Sequence, residues 1–201
     1  MIQLYGTRQS RATRCLWALE ELGVPYELVV TQLATDAKTP SYRQINPNGR
    51  VPALVDGELR LFESLAINLY LAKTYDKSGL YPRNAADEAR TIQWSIWAMT
   101  EAEPGLLTIL MNRMILPAGQ RDEAAAQAAQ EKLAQPFTVL DGALAGRKCL
   151  LGDAFTIADL NVAAVLSWAV LCKLDLSKTP NVRRWLDECL ARPGFAKARK
   201  G

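Results

Sequence analysis

Asn46-Pro47-Asn48-Gly49-Arg50-Val51-Pro52-Ala53-Leu54, followed by Phe62-Glu63-Ser64-Leu65-Ala66-Ile67, is the stretch that decides how this chain folds. Val51 to Val55 and Leu59 to Phe62 are short apolar runs joined through Asp56-Gly57, which predicts a β-hairpin. Pro52 begins the first of these strands, where its missing N–H is tolerated. Ser64 then opens a helix to about Tyr75, with Ser64 itself as a natural N-cap. Working back toward the N-terminus, Ile2 to Tyr5 reads as a strand stopped by Gly6. Cys15, Leu16, Leu19 and Leu22 recur at helical spacing between Ala12 and Leu22, and Gly23-Val24-Pro25 stops that helix. Tyr26 to Thr31 is rich in β formers and gives a second strand. Strand, helix and strand with short loops predict a right-handed parallel crossover. A polar stretch from Asp36 to Ile45 has weak helical character. The order is βαβ, α, ββα.

Beyond about residue 86 the strand signals vanish. An Ala-, Leu- and Trp-rich helical pattern runs nearly to the end, interrupted at Pro117-Ala118-Gly119, Ala145-Gly146, Asp153 and Pro180. The connection carries Gly79, Pro82 and Asn84, as a linker would. We therefore expect an α/β domain at 1–76, a linker at 77–86 and an all-helical domain at 87–201. Phe155-Thr156-Ile157-Ala158-Asp159 predicts a capping box, with Asp159 reaching back to Thr156 and Phe155 stapling onto Leu160. This is a stability device without a catalytic role.

Composition removes whole classes of chemistry. There is no histidine in the 201 residues, so Ser-His-Asp and Cys-His devices are excluded, and most zinc and iron sites become improbable. The four cysteines, Cys15, Cys149, Cys172 and Cys189, form no CxxC pair and are too sparse for a disulfide framework. The net charge of +3 comes from 24 basic and 21 acidic residues spread along the chain, which disfavours nucleic acid as a partner. The longest apolar run, Val162 to Cys172, is too short to span a membrane. The first residues lack the basic region and cleavage site of a secretory signal. A soluble, cytoplasmic, metal-free protein is expected.

The two opening motifs, together with Phe155 to Asp159 in the right order and spacing, resemble the glutathione S-transferase family over nearly the whole chain. That resemblance implies a thioredoxin-like N-terminal domain, an all-α C-terminal domain, glutathione as co-substrate and a homodimer. It also implies a cis Val51-Pro52 bond, which leaves the Val51 backbone N–H and C=O free to pair with the extended tripeptide. Glu63 and Ser64 would answer the γ-glutamyl end: the Glu63 carboxylate meets the ammonium, while the Ser64 hydroxyl and a helix N-terminus meet the carboxylate. For the glycyl carboxylate, Lys38 falls where the family places a lysine, and Arg50 is a second candidate.

The thiol-activating group is sought in Tyr5-Gly6-Thr7-Arg8-Gln9-Ser10-Arg11-Ala12-Thr13-Arg14. The segment resembles the phi/theta-like, serine-type pattern of bacterial and plant relatives, which selects Ser10. Ser10 is also the expected N-cap of the first helix, beside the positive end of its dipole. Thr7 is the rival hydroxyl. Tyr5 lies within the strand, and Cys15 falls inside the helix, where a core role is expected. Arg8 and Arg11 are candidates for positive potential over the thiolate. Of Trp94, Trp97, Met111 and Met114 on the helix after the linker, Trp97 is the candidate for an electrophile pocket. The implied activity is conjugation of the glutathione thiolate to small hydrophobic electrophiles. The alternatives are glutathione-dependent reduction of peroxides or disulfides, and a non-catalytic interaction protein on the same fold.

Overall fold

The computed structural model describes residues 1–200. They fold as two units, one of Met1–Tyr81 joined by the segment from Ala191 onward, the other Pro82–Leu190. The first unit is built on β1 (Ile2–Gly6), β2 (Tyr26–Val30), β3 (Ala53–Asp56) and β4 (Leu59–Phe62), in the order β2-β1-β3-β4. β1 and β2 are parallel, so a crossover helix must connect them; α1 (Ala12–Leu22) does so. β3 runs antiparallel to both β1 and β4. Asp56 pairs with Leu59, so the hairpin turns on Gly57 and Glu58 rather than on Asp56-Gly57. Gly57 supplies the positive φ of 59° that so tight a loop needs at its first central residue.

Alternation along the strands separates two faces. Leu4 and Leu54 pair across β1 and β3 and are fully buried. The adjoining pair, Tyr5 and Ala53, belongs to a different cluster with Ala37, Tyr42, Ile45 and Val51. That second cluster is roofed by a 3-10 turn at Asp36–Lys38 and by α2 (Pro40–Arg43), the ordered form of the weakly helical stretch. α3 (Ser64–Tyr75) packs against α1 and is tied to the hairpin by the Tyr70 hydroxyl, which donates to Asp56 at 2.8 Å.

The last helix, α9 (Pro193–Arg199), corrects the expected partition. It packs against α1 within the first unit instead of closing the helical one. Phe195 stacks on Trp17 with ring centroids 4.8 Å apart, and Arg192 grips the Glu21 carboxylate at 2.9 and 2.7 Å. A Cβ on Gly194 would lie 2.6 Å from Glu21 Oε1, so a larger residue here would displace the carboxylate that Arg192 grips. No sequence periodicity reports such a docking partner. The chain boundary itself falls between Tyr81 and Pro82, inside the expected linker.

The second unit is helical: α4 (Ala85–Trp97), α5 (Glu103–Leu110), α6 (Glu123–Ala143), α7 (Ile157–Leu171) and α8 (Pro180–Leu190). π turns at Ala98–Ala102 and Met111–Ile115 carry α4 into α5 and lengthen α5. α7 is its centre, buried at every position from Ile157 to Leu166. Such a helix must satisfy its polar groups internally. Asn161 Nδ2 donates to Ser95 Oγ at 2.9 Å, and that hydroxyl donates to Thr91 O at 2.8 Å. Asp159 completes the expected capping box with Thr156 and does more. Its carboxylate also accepts the Leu150 N–H at 2.8 Å and Trp185 Nε1 at 2.9 Å, joining three segments of the unit. Among the described residues no helix is long and apolar enough to cross a membrane.

Candidate active site

The sheet register assembles the candidate residues. Tyr5, Ala53 and Phe62 lie in one row across β1, β3 and β4. One residue further along each strand are Gly6, Pro52 and Glu63, at the sheet end where α1 and α3 begin. Two helix N-termini therefore meet one sheet end, an arrangement suited to anions. The helices are locked together there: the Cys15 thiol donates to Ser64 O at 3.4 Å, Asn68 Nδ2 donates to Arg14 O at 3.3 Å, and Arg14 Nη1 stands 3.5 Å from Ser64 Oγ.

Gly6 is the hub. A Cβ built on it would meet Ser10 Oγ at 3.3 Å and Val51 Cβ at 3.6 Å. The serine hydroxyl and the Val51 side chain thus approach the same bare glycine, and a third contact, 2.6 Å to Ala12 Cβ, leaves no room for a side chain. The Val51-Pro52 bond is cis, as the resemblance implied. Among the described residues neither the Val51 N–H nor its C=O has a hydrogen-bond partner. β3 starts at Ala53, so Pro52 stands just before the strand rather than in it.

Ser10 is not the formal N-cap of α1. Arg11 occupies that place, with helical backbone angles and no side-chain cap. The Ser10 hydroxyl nonetheless accepts the Ala12 N–H at 3.1 Å and the Thr7 N–H at 3.3 Å, while donating to Thr7 O at 2.7 Å. Its oxygen is polarised by two donors, one of them the first N–H of the helix, and its proton rests on a neutral carbonyl. Thr7 lies in the same turn, its own hydroxyl unpaired among the described residues. Tyr5 points elsewhere, its hydroxyl donating to Gln3 and its ring set against Tyr42. Cys15 is completely buried, and burial pushes its thiol far above the ordinary range, against a lowering effect of Arg14. It is a core residue.

The second helix start also differs from expectation. Glu63, not Ser64, is the cap of α3, and Ser64 is the first helical residue. Glu63 holds φ at 70°, a left-handed conformation unusual for a residue with a side chain. Strain of this kind concentrates at functional positions. Here it leaves the Glu63 carboxylate exposed at the helix entrance, with buried Ser64 beside it.

Lys38 and Arg50 enter through the loop before Val51. Lys38 Nζ donates to Gly49 O at 2.7 Å, so the ammonium is held against that loop; the exposed Arg50 side chain has no partner among the described residues. The backbone of Arg50 is the better anchored part. Its carbonyl accepts the Tyr42 hydroxyl and Asn46 Nδ2, each at 2.7 Å. Asn46 also accepts the Asn48 N–H at 3.1 Å and is only 2% exposed. Burial pushes the Tyr42 hydroxyl up to about 12, Asn46 lowering and Tyr5 raising it by less. Sequence reasoning missed Asn46 and Tyr42 as supports for the loop. An asparagine opening the Asn46-to-Leu54 stretch, a side chain that both donates and accepts, was the available signal. Trp97 is half-buried, its ring set edge-on against Trp94 with centroids 5.2 Å apart.

The comparisons with known proteins agree with this geometry. The chain matches the family description "Glutathione S-transferase, N-terminal domain" over residues 1–73 and "Glutathione S-transferase, C-terminal domain" over 98–193. Glutathione S-transferase 3 of Zea mays is 34% identical over 206 residues, spanning 98% of this chain and 92% of that protein. Among solved structures, glutathione S-transferase-I bound with lactoylglutathione superposes with a TM-score of 0.89 at 33% identity, over 98% of both chains. The theta class glutathione S-transferase of Xanthomonas axonopodis pv. citri, with glutathione bound, gives 0.91 at 30% identity, over 100% of this chain and 97% of that one. With both halves of the sequence pattern present in order, and the likeness carried through nearly every residue, this chain belongs to the glutathione S-transferase family.

Proposed function

We propose that the chain transfers the glutathione thiolate to small hydrophobic electrophiles, with Ser10 as the hydroxyl that stabilises the thiolate. The observation that carries this is the meeting of Ser10 Oγ and the Val51 side chain at Gly6, with the Val51 backbone groups unpartnered among the described residues. An extended tripeptide hydrogen-bonded to Val51 N–H and C=O sets its central cysteine beside the serine. Bound this way, the γ-glutamyl carboxylate takes the N–H groups of α3 and the Ser64 hydroxyl, and the ammonium takes Glu63. Lys38 and Arg50 answer the glycyl carboxylate from the preceding loop. The glutathione thiol gives up its proton to solvent, and the Ser10 O–H turns from Thr7 O to donate to the resulting sulfur anion. The thiolate forms the new bond to the electrophile, and the leaving group departs with the bonding pair.

The protein acts in the cytoplasm, in detoxification, as a homodimer. Exposed apolar side chains at Leu59 and Phe62 on the first unit, and at Ile92 and Ile96 on the second, are surfaces a second copy would cover. Calorimetric titration with reduced glutathione, run beside a conjugation assay on an aryl halide, tests the reading. Binding with turnover that collapses in Ser10→Ala is expected. Binding without turnover moves the activity to peroxide or disulfide reduction, and no binding at millimolar glutathione ends the enzyme reading. Sedimentation velocity tests the dimer.

A further inference from the structure

Arg8 sits two residues before Ser10, and the sequence offered it as a source of positive potential over the thiolate. It is half-buried, and its guanidinium is engaged with the C-terminal helix. Its Nη1 donates to Ala198 O at 2.8 Å and to Lys197 O at 3.4 Å, two carbonyls in the last turn of α9. Carbonyls in a helix's last turn lack the N–H donors of a following turn, and a guanidinium can only donate, so the two are matched; Lys197 O also accepts the Lys200 N–H at 3.1 Å. The backbone of Arg8 is tied as well, because the Thr13 hydroxyl of α1 donates to Arg8 O. Ser10 N–H closes the same turn onto Thr7 O at 3.0 Å. The Thr7–Ser10 turn is thus fixed to α1 on one side and to the C-terminal helix on the other.

α9 is itself a firm support. Beyond the Arg192 grip on Glu21 and the Phe195–Trp17 stack, Trp17 Nε1 donates to the same Glu21 carboxylate at 2.9 Å. Support therefore runs from α1 through Glu21, Arg192 and α9 to Arg8, and ends two residues from the Ser10 hydroxyl. We propose that Arg8 is a positioning residue for thiol activation, and that the C-terminal helix is part of that apparatus through it. The proposal rests on the Ser10 assignment above. Arg8 touches neither substrate nor sulfur; it holds the turn in which the Ser10 proton can swing from Thr7 O to the thiolate.

The test compares Arg8→Met, which keeps the length and removes the donors, Arg8→Lys, which restores one donor, and a chain ending at Ala196, which removes both acceptor carbonyls. For each, the pKa of enzyme-bound glutathione is read from thiolate absorbance, kcat and KM are measured across pH, and affinity for S-methylglutathione is taken by calorimetry. Arg8→Met and the shortened chain are expected to raise the bound thiol pKa by about half to one unit and lower kcat/KM below neutral pH by about three- to tenfold. The two changes are expected to be non-additive when combined, because they remove one interaction. Arg8→Lys recovers part of the loss, and S-methylglutathione, having no proton to lose, binds within about twofold of the parent in all of them. A merely structural cap would lower thermal stability without moving the thiol pKa. An unchanged thiol pKa in Arg8→Met, where Ser10→Ala raises it, overturns the positioning role alone. An unchanged pKa in Ser10→Ala overturns the Ser10 assignment and this proposal with it.

Discussion

Replacing Ser10 by alanine is the substitution whose cost the hydrogen bonds around Gly6 set most directly. A free thiol near pKa 8.5 must fall by about 1.5 units, or about 2 kcal/mol, to be half ionised at pH 7. The Ser10 proton is not idle in the unliganded chain, since it rests on Thr7 O at 2.7 Å. Turning it to a thiolate exchanges a neutral bond of about 0.5–1.5 kcal/mol for a charged one of about 1.5–3 kcal/mol, a net gain near 1 kcal/mol. The Ala12 N–H on the serine oxygen links it to the start of α1 and adds about 0.3–1 kcal/mol. Together these supply most of the requirement. Ser10→Ala is therefore expected to raise the bound thiol pKa by about one unit and to cut kcat/KM at neutral pH about tenfold. The assay is a pH titration of thiolate absorbance in the enzyme–glutathione complex, with Thr7→Val in parallel. A rise in Thr7→Val with no change in Ser10→Ala refutes the reasoning and gives the role to the Thr7 hydroxyl.

Gly6→Ala forces a Cβ to 2.6 Å from Ala12 Cβ at φ 149°, and should destabilise the protein by about 2–3 kcal/mol in denaturant unfolding. Lys38→Ala should raise KM for glutathione about fivefold with kcat unchanged, as for a partly exposed ion pair near 1 kcal/mol; steady-state kinetics would also show Arg50→Ala to be milder. Asp159→Ala strands the Leu150 and Thr156 N–H groups and Trp185 Nε1 in a dry interior, for a loss of about 3 kcal/mol or more by thermal unfolding. Burial works to raise the Asp76 pKa, but backbone N–H groups of Ser78, Tyr81 and Leu80 and the Ser78 hydroxyl outweigh it and hold the carboxyl below its ordinary value. Its contribution is therefore full above the ordinary carboxylate range and fades as pH falls through the lowered value. Asp76→Ala should lower Tm at neutral pH and converge with the parent in strong acid.

Local pattern made much of the first unit legible. The strands up to Phe62, the helix from Ala12 to Leu22 and the one from Ser64 to Tyr75 each carry their own periodicity and stop residues, and they appear within a residue or two of where these place them. Helix caps were less legible. Ser10 and Ser64 are good capping residues by type, yet Arg11 and Glu63 hold those positions, because the turn after Gly6 and the strained backbone at Glu63 set where the first helical residue falls. The loop from Asn46 to Arg50 was recognisable as a motif. Its internal logic was not, since the Tyr42 hydroxyl and Asn46 amide meet on one carbonyl only after the chain has folded back.

Neighbours along the chain suffice for the βαβ and ββα order, the hairpin, the capping box at Thr156 and Asp159, the exclusion of histidine chemistry, and the motifs that set the family. Other features depend on residues brought together across long separations. Gly6, Ser10 and Val51 form one constellation because antiparallel pairing of β1 and β3 places their ends side by side. Cys15 is inert because α1 turns it fully inward, where a thiolate would lose its hydration. The last helix serves the first unit because Glu21 and Arg192, 171 positions apart, meet only in the folded state. Such contacts follow the register of sheets and the docking of helices, which no local window of sequence contains.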